Sequence, residues 1–209
     1  STATISVLAR KSRKASEQEA TDYVAAMLLA VSMMFLRFMI LILIFSREIF
    51  LSIYPYLLTM AVVAAIVAWF IHSRQKRPED QPAETEEDDS SNPLEFKVAL
   101  IFAVLFVIFT FLTHYTLVYA GTGGLNLLSF VSGFSDITPF ILNLLQNTGS
   151  VAALIITACS MQAIISNIMV NMFYALFFAG KGSKLRPWIL GGFGVVIACN
   201  LVLLLFFYI

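Results

Sequence analysis

The sequence predicts an all-α polytopic membrane protein with about five to six transmembrane helices, a broken or re-entrant helix and an internal repeat. Of its 209 residues, 59% are hydrophobic and 12% are charged, whereas a soluble domain is near half apolar and a quarter charged. The mean hydropathy is +0.87, and several apolar stretches reach the roughly 20 residues that a spanning helix needs. One hydrophilic segment interrupts them and separates two membrane parts.

Three parts are predicted along the chain. Residues 1–73 form a first membrane repeat that is truncated at its N-terminus, because the chain opens without Met in a short polar helix ending in basic residues. An interfacial amphipathic helix is the alternative for that opening. Residues 74–95 form an acidic flexible linker, since most of this segment is the run PEDQPAETEEDDSSNP, which has seven acidic residues and no large apolar side chain. Residues 96–209 form a second repeat with a broken helix at residues 125–147.

The first repeat contains two predicted spans. The first is Tyr23–Phe45, and it carries Arg37 well inside, where an arginine snorkels or finds a partner. The second is Tyr54–Ile71, with Tyr54 and Tyr56 expected to anchor its start at the membrane surface. A proline between these two tyrosines fits an early helical position.

The second repeat contains three more predicted helices besides the broken one. They are Phe96–Ala120, Ser150–Ala179 and Trp188–Ile209. In the last of them, Gly194 and Ala198 are expected to form a small-residue face for close helix packing. The second of the three carries four polar residues on one face, namely Thr157, Ser160, Asn167 and Asn171.

The broken helix is the polar centre of the apolar chain. Asp136 is the one acidic residue that falls within a hydrophobic region, and a carboxylate at membrane depth indicates a functional site. Pro139 disfavours a helical residue before it. We therefore predict that the helix unwinds near Ser135–Thr138 and restarts with Ser135 or Thr138 as N-cap. Irregular backbone at this depth lines a cavity or is buried in protein, as in many transporter sites.

A shift of 134 residues aligns the start of the chain with the broken helix. Thr2 then falls on Asp136, Thr4 on Thr138, and Arg37 on Asn171. If the halves are pseudo-symmetric, Arg37 and Asp136 are expected to lie together at the repeat interface, as a structural ion pair or as one that substrate binding breaks.

The sequence is compatible with two arrangements of the broken helix. A re-entrant helix would place nearly all basic clusters on one side, in agreement with the positive-inside tendency. A gapless repeat of four crossings instead favours full crossing with parallel repeats, and this version is preferred. In the preferred version the N-terminal basic cluster and the linker are expected to be cytoplasmic.

Several segments resemble a family of bacterial inner-membrane proteins. In order, they are VLARKSR, AMLLAVSMMFLR, NPLEFKVALIFAVLFV, SGFSDIT and SNIMVNMFYALFFAGK. They are similar to a C-terminal domain of unknown function (number four-thousand-ten in its series) that follows an MgtC/SapB-like half. The resemblance implies a multi-pass protein of the bacterial inner membrane, often described as an MgtC/SapB-type transporter. Many relatives carry a second acidic residue where this chain has Thr138, and that departure weakens the case for a divalent-metal site.

The resulting functional hypothesis is a transporter or channel for a small ion, either a divalent cation such as magnesium or a proton-coupled solute. Asp136 would be the ligand, metal-binding group or proton carrier. The other predicted site residues are Ser135, Thr138, Asn167, Asn171, Arg37 as counter-ion, and, through the repeat, Thr2 and Thr4. The alternative is a non-transporting regulator that binds other membrane proteins through its helix faces.

Other functions and partners follow from what the sequence lacks. No Ser/His dyad, HExxH motif or paired aspartates occur at usable positions, so no enzymatic activity is predicted. Cys159 and Cys199 lie in apolar runs and are expected to be free thiols, with no cofactor beyond a bound cation. The net charge is zero, which gives no sign of nucleic acid. The expected partners are the lipid bilayer, an N-terminal MgtC-like half of the same protein and a second copy of the chain.

Overall fold

A computed structural model describes residues 4–5, 7–9, 17–73, 94–146, 151–180 and 185–208, which are almost entirely helical. Within these ranges a short helical stretch at residues 4–5 and 7–9 precedes six longer helices. They are α1 (Glu17–Phe45), α2 (Arg47–Ser73), α3 (Leu94–Ser132), α4 (Ile137–Gln146), α5 (Ala153–Ala179) and α6 (Arg186–Tyr208). All but α4 are long and apolar enough to cross a membrane. The predicted fold class is confirmed. Most of the predicted linker, residues 74–93, lies outside the described residues.

The helices α1 and α2 form a hairpin that turns at a single residue, Ser46. The amide of Ser46 donates to the Ile42 carbonyl at 2.8 Å, and its hydroxyl accepts from the Ile49 amide at 3.4 Å. Ser46 thus caps α2 in the way that serine caps helices. Because of this cap, α2 begins at Arg47 rather than at the predicted Tyr54, and Pro55 lies inside the helix.

The two helices of this hairpin are antiparallel along their length. His72 Nδ1 lies 2.9 Å from Asp22 Oδ1, and the Ser32 hydroxyl donates to the Ala61 carbonyl at 2.8 Å. We call the side where α1 begins and α2 ends side A, and the side of the Ser46 turn side B.

The helix α6 packs against this hairpin and runs from side A to side B. A Cβ on Gly192 would lie 2.7 Å from Leu28 and 3.1 Å from Ile71, so these side chains press directly on the glycine. Further along, the Tyr56 hydroxyl donates to Asn200 Oδ1. These contacts make α6 parallel to α1 and antiparallel to α2.

Two sequence predictions about these helices are wrong. The close helix contact is at Gly192, whereas a Cβ added to Gly194 would have no described atom of another helix within 4 Å. Tyr56 is buried and holds Asn200 instead of anchoring the helix at the membrane surface. In both cases the packing partner comes from a distant part of the chain, which helical periodicity alone does not identify.

The helix α5 lies at the centre of the molecule and runs from side B to side A. It ends at Ala179, shortly before α6 begins on side A. It is the most buried of the five long helices. Its predicted polar face is buried in full, with Thr157, Ser160, Asn167 and Asn171 all inside the molecule.

The helix α3 reverses direction at Gly121. This residue has φ 56° and ψ −147°, a backbone conformation that essentially only glycine adopts. A Cβ on Gly124 would lie 2.6 Å from Thr116 Cγ2, although residues eight apart in a straight helix are separated by about 12 Å. We call residues 94–120 the ascending arm and residues 122–132 the descending arm.

The descending arm runs beside α5 in the same direction. Cys159 Sγ lies 3.3 Å from Asn126 Oδ1, and the Ser166 hydroxyl donates to the Phe130 carbonyl at 2.6 Å. Because the residue numbers rise together in both helices, the descending arm leads from side B toward side A.

The helix α4 brings the chain back toward side B. The Asn143 amide donates to the Thr110 hydroxyl at 2.7 Å, and the rings of Phe109 and Phe140 lie 5.7 Å apart. With 10 residues, α4 is about 15 Å long, half of the ~30 Å hydrocarbon core. The descending arm, residues 133–136 and α4 therefore form a re-entrant hairpin that enters from side B.

The preferred sequence prediction, full crossing with parallel repeats, is wrong. Because the chain reverses at Gly121 and α4 has half the spanning length, neither the descending arm nor α4 crosses the bilayer. A shift of 134 residues still places Phe45, the end of α1, on Ala179, the end of α5. The aligned helices run in opposite directions, which is the arrangement of an inverted repeat and not of the predicted parallel one.

Candidate functional site

The tip of the re-entrant hairpin, residues 133–136, is held first by its own chain. The amides of Gly133 and Ser135 donate to the carbonyls of Phe130 at 3.3 Å and Ser132 at 3.1 Å. The Ser135 hydroxyl also donates to the Ser132 carbonyl at 3.2 Å. These bonds satisfy polar groups that a helix end would otherwise leave unpaired in an apolar environment.

Gly133 brings the tip into direct contact with α5. A Cβ at this position would lie 2.3 Å from the Ser166 hydroxyl oxygen and 2.7 Å from the Asn167 amide nitrogen. Real Cβ atoms do not approach other atoms so closely, so glycine is the residue that fits. The closeness of the two backbones allows α5 to hold the tip with its side chains.

Two asparagines of α5 form an amide chain that reaches the tip. Asn167 Nδ2 donates to the carbonyls of Gly133 at 3.1 Å and Ser135 at 3.4 Å. Asn171 Nδ2 donates in turn to Asn167 Oδ1 at 3.1 Å. Both asparagines are buried, and the chain fixes the position of the tip against the central helix.

Asn171 also carries an oxygen that lacks a hydrogen bond. Its Oδ1 atom is buried and has no partner in the described part of the chain. An unsatisfied buried acceptor costs about 1–3 kcal/mol. Such an atom is available to a ligand, a proton-bearing group or a water molecule that reaches the interior at this level.

Asp136 is the N-cap of α4. Its Oδ1 atom accepts from the Thr138 amide at 2.9 Å and from the Thr138 hydroxyl at 2.7 Å. The sequence prediction that Ser135 or Thr138 provides the cap is therefore wrong, because Ile137 already begins the helix. The carboxylate sits at the positive end of the α4 dipole, which stabilises its charge.

Asp136 is exposed on the surface of the chain although it lies deep in the membrane part. Thr138, its hydrogen-bond partner, is buried. One edge of the carboxylate is thus fixed by the protein while the residue remains accessible from outside the chain. This combination suits a group that binds a ligand or exchanges a proton.

Beyond the tip, toward side A, none of the described helices fills the space beside this face of α5. A groove with a volume of about 550 Å³ runs there, lined mainly by aromatic side chains. It extends from Phe130 and Phe134 at the hairpin to Phe177 near the end of α5. The groove exists because a re-entrant hairpin fills only one half of the bilayer thickness beside α5.

The structure brings most of the predicted site residues together. Ser135, Asp136, Thr138, Asn167 and Asn171 meet at the tip through the contacts given above. Of the other three predicted residues, Arg37 and Thr4 do not join them, and Thr2 is not among the described residues.

Arg37 is exposed on α1, and the predicted ion pair with Asp136 is not formed. Among the described residues, the ion pair found joins His72 and Asp22. Thr4 is exposed in the short N-terminal helical stretch and takes no part in the hydrogen bonds of the tip, and Thr2 lies outside the described residues.

Metal binding at the tip would rely on few ligands. The described residues contain no group of three or more His, Cys, Asp or Glu side chains that could hold a metal ion. Asp136 is the single carboxylate of the tip, and its neighbours offer hydroxyl, amide and carbonyl oxygens. Such a donor set suits a weakly held, hydrated cation or a proton better than a tightly chelated metal.

Three further residues determine the shape of the site and were not predicted from the sequence, namely Gly121, Gly133 and Ser166. Gly121 creates the hairpin, while Gly133 and Ser166 define its contact with α5. The run AGTGG before the descending arm and the pair Ser132–Gly133 are the signals that could have indicated a reversal and a close approach.

These features define a polytopic α-helical membrane protein with a re-entrant hairpin and a carboxylate at the hairpin tip. Residues 1–179 match the family described as "Domain of unknown function (DUF4010)", and the chain belongs to this family. The DUF4010 part of the resemblance is confirmed, whereas none of the comparisons connects the chain to MgtC/SapB proteins.

The chain is also similar to an "Uncharacterized protein" of Aquifex aeolicus (strain VF5), with 26% identity over 115 residues. The matched segment covers 54% of this chain and 50% of that relative, so the chain spans about half of the relative's length. No solved structure matches the chain.

Proposed function

We propose that this chain is part of a membrane transport protein for a small ion, and that the tip of the re-entrant hairpin is its binding site. One observation supports the proposal above all: an exposed carboxylate, Asp136, caps a half-length helix deep in the membrane part. Ionisable residues at this depth are costly and usually mark ion or proton pathways. Half-helices that meet near the membrane midplane are a recurrent plan of transporter sites.

In this proposal each residue of the tip has a defined role. Asp136 binds the cation or carries the proton, while Thr138 fixes one of its carboxylate oxygens. Asn167 positions the tip by holding the carbonyls of Gly133 and Ser135. Asn171 Oδ1, which lacks a partner, is a candidate neutral ligand.

The charge of the site narrows the substrate class. A single carboxylate with neutral oxygens favours a proton, a monovalent cation or a hydrated divalent cation such as magnesium. An anion would suit the N-terminus of α4 but would be repelled by ionised Asp136. A proton-coupled small solute remains within the proposal because the carboxylate can exchange its proton.

The orientation of the chain is also part of this proposal. Basic residues adjoin the side-A ends of the helices: Arg74 follows α2, Lys181 and Lys184 come between α5 and α6, and Arg186 begins α6. On side B, Arg47 begins α2. The positive-inside tendency makes side A cytoplasmic. In the bacterial inner membrane the hairpin would then enter from the periplasm, and an MgtC-like half of the same polypeptide would be a partner.

The proposal is tested by flux measurements with the full-length protein in proteoliposomes. Monovalent and divalent cations and a pH gradient are screened for wild type, Asp136→Asn and Asp22→Asn. The second variant is the matched control, because it removes a carboxylate that lies near side A and pairs with His72. We expect Asp136→Asn to abolish flux and Asp22→Asn to retain it. Absence of flux for every ion in the folded wild type would contradict the proposal and favour the regulator hypothesis.

A further inference from the structure

The exposed face of α1 carries one charge among large apolar side chains. Leu29, Met33, Ile40 and Ile44 are exposed, and Arg37, which is also exposed, lies in the middle of this row. The spacing of three and four residues places all five on one face of the helix. A membrane-facing stripe of this kind is expected to be apolar throughout, so the arginine requires an explanation.

Asp136 has a corresponding position on the hairpin. It is exposed, and the side chains of Val131 and Phe134 beside it are exposed as well. The carboxylate therefore emerges from an apolar surface, as Arg37 does on α1. Within the described residues neither charge has an oppositely charged partner, since the ion pair found there is that of His72 with Asp22.

The two charges lie at similar depths. Arg37 is followed by eight residues of α1, which places it about 12 Å from the side-B end of that helix. Asp136 precedes the 10 residues of α4, which places it about 15 Å from the same side. Both distances put the charges inside the ~30 Å hydrocarbon core.

Symmetry connects these observations. Most oligomers of identical chains are two-fold symmetric dimers. If residue i of one copy then contacts residue j of the other, residue j of the first copy also contacts residue i of the second. A two-fold axis along the membrane normal keeps every residue at its own depth. Two opposite charges at matching depth on one chain can therefore pair across such an axis, and each pair removes two uncompensated charges from the apolar region.

From these observations we propose that two copies of this chain form a dimer in the membrane, in which Asp136 of each copy pairs with Arg37 of the partner subunit. The pairing is independent of transport. Its consequence for the site rests on the proposed function: the partner's Arg37 becomes the counter-ion that a cation or proton must displace from Asp136. The hairpin-tip site is then complete only in the dimer.

Charge exchange between separately tagged copies tests the pairing. Full-length Arg37→Asp and Asp136→Arg copies are expressed alone and together, and association is measured by capture through one tag. In a homodimer of either variant, like charges face each other, which costs several kcal/mol. In the mixed dimer both pairs are of opposite charge. We expect about tenfold or more enrichment of the mixed dimer over either homodimer.

A second experiment uses milder substitutions in case the reversed charges prevent folding. Arg37→Cys in one tagged copy and Asp136→Cys in the other are combined in a background without Cys159 and Cys199, and a short bis-maleimide is added. We expect cross-linking between the copies. The matched control replaces Asp136→Cys with Phe177→Cys, which is also exposed but lies near side A, and should give no cross-link.

Three outcomes would overturn the proposal. The first is a monomeric full-length protein in lipid nanodiscs, and the second is cross-linking no stronger than in the Phe177→Cys control. The third is that the defect of the single variants is rescued only when Arg37→Asp and Asp136→Arg are combined in one copy, and not when they are in separate copies. The last result would mean pairing within one chain. All three are measured without flux, so failure of the dimer and failure of the transport proposal are distinguishable.

Discussion

At the scale of single residues, one side chain at the hairpin tip, that of Asp136, has both a structural role and a charge. Asp136 caps α4 through the Thr138 amide and hydroxyl, and it also carries the negative charge of the tip. Gly133 has a purely structural role, because its lack of a side chain lets the tip contact Ser166 and Asn167. Stability and function at the tip can therefore be separated by the choice of substitution.

The cap and the charge of Asp136 are separated by comparing asparagine with alanine. Asparagine is as good an N-cap as aspartate, whereas alanine costs about 1 kcal/mol. We expect Asp136→Asn to be more thermally stable in nanodiscs than Asp136→Ala, because asparagine keeps the cap, and to lose ion flux. Asp136→Ala should lower both stability and flux. Equal stability of the alanine and wild-type proteins would show that the cap contributes nothing.

Substitution of Gly133 tests the close approach of the tip to α5. Gly133→Ala would place a methyl group 2.3 Å from the Ser166 hydroxyl oxygen, and overpacking of this kind costs about 1–3 kcal/mol. Gly123→Ala is the matched control, because no atom lies within 4 Å of its added Cβ. Thermal unfolding should show a loss for the first variant and little change for the second. Similar stabilities would mean that the tip does not rest on α5 as described.

At the scale of elements, the reversal of α3 decides the topology of everything after it. With the reversal at Gly121 and the return through α4, the chain reaches α5 on side B and α6 on side A. Full crossing of the broken helix would exchange these sides. The descending arm and α4 are also the elements that leave the groove beside α5 open toward side A.

Cysteine labelling with a membrane-impermeant thiol reagent tests this topology. Ser73 ends α2 and Arg186 begins α6, and both are exposed at side A. Glu48 and Gln146 are exposed at side B. In oriented vesicles, we expect Ser73→Cys and Arg186→Cys to be labelled from one side, and Glu48→Cys and Gln146→Cys from the other. Labelling of Ser73→Cys and Arg186→Cys from opposite sides would restore the full-crossing arrangement.

At the scale of the whole molecule, the two halves are joined through α2 and α6. The Tyr56 hydroxyl donates to Asn200 Oδ1, and Asn200 Nδ2 donates to the Val196 carbonyl at 2.7 Å. Both side chains are buried. Because lipid tails are as apolar as leucine, such polar contacts and close packing at Gly192 hold membrane helices together.

A double-mutant cycle measures this connection between the halves. Tyr56→Phe removes the donor and leaves the buried oxygen of Asn200 unsatisfied, which costs about 1–3 kcal/mol. Asn200→Leu removes the acceptor, and the double variant should recover part of the loss. From unfolding in mixed micelles, we expect a coupling energy of about 0.6 kcal/mol, the average for such pairs in membranes, and no more than about 1.7 kcal/mol. Strict additivity would mean that the pair does not connect the halves.

The sequence by itself determined the membrane class, the approximate helices and the polar character of the tip. Apolar runs of spanning length are decisive because continuous apolar stretches of roughly 20 residues are needed by helices that cross the bilayer, which satisfy all their backbone hydrogen bonds internally. Asp136, Ser135 and Thr138 were identifiable because polar residues and a proline interrupt such a run. The buried polar face of α5, including Asn167 and Asn171, was identifiable from helical spacing.

The tertiary structure alone decided how these parts meet. The direction of the hairpin depends on one glycine conformation at residue 121, and hydropathy does not distinguish two half-helices from one crossing helix. The separation of Arg37 from Asp136 within the chain, and the burial of Tyr56 against Asn200, depend on which helix faces turn toward each other. In a bilayer both inner and outer faces are apolar, so sequence pattern gives little information about which face packs inward.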